Sequence, residues 1–142
     1  MNRYGLSEEL IRDLMSKREE MHNQSSVHHP YGWLDRPEPD FQVEYVLNIS
    51  PRLQGVKPFQ GMRCDFRYEG ENVNYMIYPE ILDDNGNIIL DKETPIKNKG
   101  VANMWIFGDK KYHEERIKEG INGFWMIGSE ILANVKIIKL FF

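Results

Sequence analysis

The strongest constraint on this chain is a period of two in its apolar residues that begins at Phe41 and keeps returning. Phe41, Val43, Tyr45, Leu47 and Ile49 alternate with Gln42, Glu44 and Asn48, with Val46 the exception. Successive side chains of a strand point to opposite faces, so this alternation marks a strand with one face buried. Further strand signals fall at residues 63–68, 75–82, 88–90, 101–107, 124–127 and 131–140. Turn residues separate them. Residues 50–61 hold two prolines and two glycines, and Asp83-Asp84-Asn85-Gly86-Asn87 is a hairpin turn, because Asn-Gly readily supplies positive φ. Pro79 lacks a backbone donor, which places it at a bulge or on an edge strand. Six to eight short strands at near-regular spacing predict an antiparallel sandwich or barrel.

Within that pattern, Pro58-Phe59-Gln60-Gly61-Met62-Arg63-Cys64-Asp65-Phe66-Arg67-Tyr68 reads as a Pro/Gly corner feeding a strand. Cys64, Phe66 and Tyr68 then share the inward face. Cys64 is the only cysteine, so no internal disulfide forms, and the chain suits a reducing compartment. Its place in an alternating strand predicts a small buried apolar group rather than a nucleophile.

Residues 1–23 carry Leu6, Leu10, Ile11, Leu14, Met15 and Met21 near helical spacing, with Ser7 as N-cap and Glu8 and Glu9 in the first turn. The expectation is one helix packed on the barrel, its stripe serving as core contact or, in the sharper version, as a partner-binding face. Residues 22–40 have no periodicity and hold three prolines, so they read as a loop. The domain division is therefore 1–40, helix and Pro-rich loop, and 41–142, barrel. Tyr31 and Trp33 are expected to cover apolar surface at the barrel rim. His22, His28 and His29 fall in the same loop. His28 and His29 are the metal candidates, but adjacent histidines diverge in extended chain and no Cys or carboxylate spacing completes a zinc set, so the expectation is no metal and no cofactor.

Composition excludes several function classes. With 18 basic against 22 acidic residues the net charge is −4, and no run of Lys or Arg builds a phosphate-facing stripe, so DNA is not an expected partner. No apolar run approaches the ~18 residues of a membrane span, and the N-terminus has no apolar signal-peptide region, so the expected setting is cytoplasmic. The acidic turn at residues 83–87 fails as a calcium loop, since Gly86 at the sixth position would put Ile81 at the first. His113-Glu114-Glu115-Arg116 lacks the second histidine of a zinc protease, because Ile117 stands four residues on. P-loop, dinucleotide and nucleophile-elbow signatures are absent.

Pro58-Phe59, Gly61-Met62-Arg63, Phe66 and Tyr68 together resemble the C-terminal β-barrel domain of translation elongation factor Tu. Residues 41–47 resemble that barrel's first strand, and Lys118-Glu119-Gly120, Gly128 and Ala133-Asn134-Val135 resemble its closing segments. The resemblance covers residues 41–142 and implies a closed antiparallel six-stranded barrel, used in that family as a binding module for tRNA and protein. It carries no GTPase activity, because the P-loop domain is missing. The family's Gly-Gly-Arg before the Pro-Phe is Leu53-Gln54-Gly55 here, and its later Gly-Gly-Arg-Thr is Ile121-Asn122-Gly123-Phe124, which removes the small and basic residues expected for tRNA.

The functional expectation is a non-catalytic binding module engaging another protein, of which an inhibitor or immunity-type partner is one form. The expected binding residues are Arg63, Lys118, Glu119, Tyr31 and Trp33. One alternative is a small-molecule or RNA-binding barrel in which Arg63, Lys118 and aromatics line a groove. Another is a small enzyme with an unrecognised site. Arg63 beside Gly61 also reads as a corner brace, and Glu119-Gly120 as a hairpin former.

Overall fold

The computed structural model describes Glu9, Arg12 and residues 26–34 and 38–142. The helix expected over residues 1–23 lies outside the described residues, except that Glu9 and Arg12 are both exposed and helical. His22 also lies outside them.

Six antiparallel strands form one curled sheet: β1 (Phe41–Leu47), β2 (Asp65–Tyr68), β3 (Ile77–Ile81), β4 (Lys99–Ile106), β5 (Asn122–Ile127) and β6 (Glu130–Leu140). Their order across the sheet is β2-β5-β6-β1-β4-β3. The period-two reading of residue 41 onward holds, since Phe41, Val43 and Tyr45 are buried while Glu44 and Val46 are exposed. The concave face gathers Phe41, Val43, Tyr45, Cys64, Phe66, Tyr68, Met104, Trp125 and Val135 into the main core. Burial of Cys64 pushes its thiol well above the usual range, as expected of a small buried group rather than a nucleophile.

Aromatic and glycine positions interlock in this core. Tyr45 stacks on Trp125 at 4.9 Å, and Phe41 meets Phe66 edge-on at 6.0 Å. Gly123 on β5 faces the β2 backbone so closely that a Cβ there would sit 2.7 Å from both the Arg67 carbonyl and the Phe66 ring. At the expected corner, Gly61 has φ 83° and Met62 N–H donates to the Phe59 carbonyl at 3.1 Å.

The barrel does not close. β2 and β3 would have to pair along their length, but one residue pair joins the two edges: Phe66 and Tyr75 exchange backbone hydrogen bonds of 3.1 and 2.8 Å. The sheet is therefore a half-barrel rather than a closed barrel. The outer edge of β3 explains why. Pro79 has no N–H to give, and the buried Gln60 side chain occupies the groups beyond it. Gln60 Nε2 donates to the carbonyls of Ile81 and Ile89, both at 2.8 Å, and its Oε1 accepts from Ile81 N–H at 2.9 Å. An amide side chain takes the place of a neighbouring strand. Pro79 is accordingly on an edge strand, as its missing donor requires.

The expected strand at residues 88–90 reduces to an isolated bridge between Ile88 and Leu82, under a turn in which Asp83 Oδ1 accepts from the N–H of Asn85 and Asn87. Conversely, β3 and the second half of β4 are buried on both faces. Residues 26–34 lie across their convex side. Val27 bridges Asp91, His28 N–H donates to Leu90 at 2.7 Å, and a 3₁₀ turn over Tyr31–Leu34 seats Tyr31 against Trp105 and Phe107. Tyr31, Tyr78, Trp105 and Phe107 form a second, smaller core there.

Candidate functional site: an aromatic seam

The open seam between β2 and β3 carries the densest set of chemically able side chains among the described residues. Tyr68 ends β2, Tyr75 precedes β3, and Glu71 lies in the turn between them. The opposite wall comes from a short helix, α1 (Lys110–Glu114), and the turn after it. Asp109 caps α1, its Oδ1 accepting from Tyr112 N–H at 3.2 Å, while Arg116 N–H closes the C-terminal turn onto the His113 carbonyl at 3.0 Å. This geometry puts Tyr112 and Arg116, four residues apart, side by side, and turns His113 inward.

Arg116 is held from several directions. Its guanidinium carbon stands 4.0 Å from the Tyr68 ring centroid and 5.0 Å from that of Tyr112. Nη1 donates to the Tyr112 hydroxyl at 2.7 Å and to that of Tyr75 at 3.3 Å, and Nη2 pairs with Glu71. The hydrogen bond between the Tyr75 and Tyr112 hydroxyls raises the Tyr75 phenol above its ordinary range.

His113 is 3% exposed and its Nδ1 lies 2.7 Å from the Tyr68 hydroxyl. Among the described residues the Tyr68 hydroxyl has no other hydrogen-bond partner. A buried phenol O–H needs an acceptor, so the network assigns Tyr68 as donor, Nδ1 as acceptor and the ring proton to Nε2. Burial keeps the imidazole neutral, drawing its pKa down to about 4 against a smaller opposing pull from Asp109. Burial also raises the Tyr68 hydroxyl, more than Arg116 lowers it.

Beside this cluster lies a cavity of about 300 Å³ whose wall includes Tyr75, Met76, Phe107, Tyr112 and His113. A second cavity, about 430 Å³, sits under the turn at residues 83–87. Its charges serve that turn: Asp84 pairs with Lys97 at 2.6 Å, and the Tyr45 hydroxyl donates to the Lys97 carbonyl.

The residues expected from sequence to bind go to different places. Tyr31 is buried in the convex core, and Arg63 reaches the same core from outside, its Nε donating to the Tyr78 hydroxyl at 3.2 Å. Trp33 belongs to the 3₁₀ turn beside Tyr31. Lys118 and Glu119 are exposed in the turn before β5, where Gly120 has φ 90°. His28 is buried with its Nε2 2.5 Å from Glu80, a carboxylate that also accepts from Tyr31 N–H and Trp105 Nε1, each at 3.1 Å. His29 is half-buried, and no group of three or more metal-ligating side chains gathers among the described residues.

Sequence reasoning passed over Tyr75 and Tyr112, and met His113 and Arg116 only as part of a failed zinc motif. The readable signal was the four-residue spacing of Tyr112 and Arg116 just after Asp109, a helix N-cap residue type. Nothing local could show that Tyr68 and Tyr75 meet them. What fold and site together define is a mainly β half-barrel with an aromatic, arginine-centred seam. No protein-family model matches the chain, and a search of curated proteins finds no match either.

Proposed function

We propose that this chain is a non-catalytic binding module whose partner is a protein, docking over Tyr75, Tyr112 and Arg116. The observation that carries this reading is the fixed arginine. Interface energy concentrates in tyrosine, tryptophan and arginine side chains that are already ordered before contact. Arg116 is held by two rings, two hydroxyls and Glu71 while its side chain keeps 26% exposure, and Tyr112 beside it is 44% exposed. A partner therefore meets a rigid patch and loses little rotamer freedom on binding. The elongation-factor-like resemblance of residues 41–142 supports a binding role, and an inhibitor or immunity-type function is one form it would take. The excess of acidic residues supports a protein over RNA.

The test is affinity capture of the full chain at native expression level, with Tyr112→Ala in parallel and both melting temperatures recorded. The expected outcome is one stoichiometric partner whose retention falls at least about tenfold in the variant, the loss of one hot-spot contact, with little change in melting. A chain that co-purifies with nothing, or a partner indifferent to Tyr112, overturns the reading.

A further inference from the structure

The cavity beside the seam has a polar group in its wall, His113, that the proposed protein contact does not use. Its wall is apolar at Met76 and Phe107 and aromatic at Tyr75 and Tyr112, with His113 forming part of it. Because Nδ1 accepts from Tyr68, the ring edge left for an occupant is the Nε2–H donor. The geometry points to a small-molecule site for a neutral planar compound whose carbonyl oxygen accepts from His113 Nε2–H, with its flat body against the Tyr75 and Tyr112 rings that line the cavity. This inference shares Tyr75 and Tyr112 with the protein-binding reading but does not depend on it.

Three features select that chemistry. A volume of about 300 Å³ is at the small end of ligand sites and suits a single-ring compound. One carboxylate, Asp109, and one guanidinium, Arg12, both line the wall, so their opposite charges give no clear preference for an ion of either sign. The imidazole donor then decides orientation, since a ligand that covers it without offering an acceptor would leave Nε2–H desolvated and unpaired. A neutral imidazole donates one hydrogen bond here and carries no charge to be neutralised, which matches an amide, ketone or aldehyde oxygen.

The experiment uses the full chain, with ring-nitrogen correlation spectra of the histidines and methyl spectra of the methionines. In the free protein, His113 is expected to show protonated Nε2 and an accepting Nδ1; the reverse tautomer overturns the proposal. Benzamide, benzylamine and benzoate are then titrated. Benzamide is expected to shift the His113 Nε2 and Met76 methyl signals saturably, with a dissociation constant in roughly the millimolar range for a fragment of that size. Benzylamine, which keeps the ring but lacks the acceptor, is expected to bind at least about tenfold more weakly. Absence of saturable shifts with benzamide, or benzylamine or benzoate matching or exceeding it, overturns the site or its chemistry. The double variant Tyr68→Phe/His113→Phe removes donor and acceptor together, leaving no orphaned hydroxyl, and is expected to lose benzamide binding about tenfold. If the variant melts like the native chain and binds benzamide undiminished, His113 does not recognise the ligand. The wild-type spectra decide the question even if the variant fails to fold.

Discussion

At the scale of single residues, the fold depends on polar side chains that take over backbone duties. Gln60 is the clearest case, because its amide satisfies two carbonyls and one N–H along the β3 edge and is itself fully buried. Gln60→Leu keeps the bulk and strands the Ile81 N–H and the Ile89 carbonyl, while the Ile81 carbonyl keeps Ile89 N–H, so it should cost about 3 kcal/mol of stability in denaturant unfolding. Asn48→Ala removes an exposed 3.3 Å contact with Asn134 and should cost under about 0.5 kcal/mol. Equal effects of the two substitutions would mean that the edge finds other partners when Gln60 is gone. Nothing in the sequence marked Gln60 out. A glutamine between aromatic and glycine reads as turn filler, and its partners lie 21 and 29 residues away. Gly61, by contrast, was legible, since a corner that needs positive φ selects glycine by local sterics.

At the scale of elements, the strands were legible from the sequence, but two-sided burial was not, because a distant segment supplies the second cover. β1 alternates and was read correctly, whereas β3 and β4 are buried on both sides because residues 26–34 lie over them. That segment looked like loop, and the backbone pairing of residues 26–28 is with residues 90–92, far along the chain. Glu80 ties it down by accepting from His28, Tyr31 N–H and Trp105. A carboxylate only accepts, so Glu80→Gln puts an amide donor among three donors at a buried point. The expected result is about 3 kcal/mol of destabilisation, with amide exchange of His28 accelerated well beyond that of β1 and β6. Unchanged protection of the His28 amide in the variant would show that apolar packing by Tyr31 holds the segment without Glu80. α1 was missed for a related reason: five residues give too short a run for helical periodicity, and only its Asp109 cap is a local signal.

At the scale of the whole molecule, the half-barrel leaves a seam that one backbone pair, Phe66–Tyr75, spans and the tyrosine–histidine–arginine cluster fills. Closure was expected from the resemblance of residues 41–142 to the elongation-factor barrel, and it fails because Pro79 and Gln60 use up the β3 edge. Burying His113 in that seam ties global stability to pH. Its folded pKa is about 4, below the ordinary imidazole value of 6.5. Between those values the unfolded chain takes up a proton that the native state refuses, so unfolding gains as pH falls. The contribution is fully present above about pH 6.5 and is lost progressively towards pH 4, amounting to about 3 kcal/mol. Denaturant unfolding of the native chain and of Tyr68→Phe/His113→Phe across this window isolates the effect, since the other titrating groups are common to both. The native chain should lose more stability on acidification than the variant, and the two curves should run parallel above pH 7. Equal slopes throughout would place the imidazole in contact with solvent and remove the physical basis for a neutral His113 donor at the cavity wall.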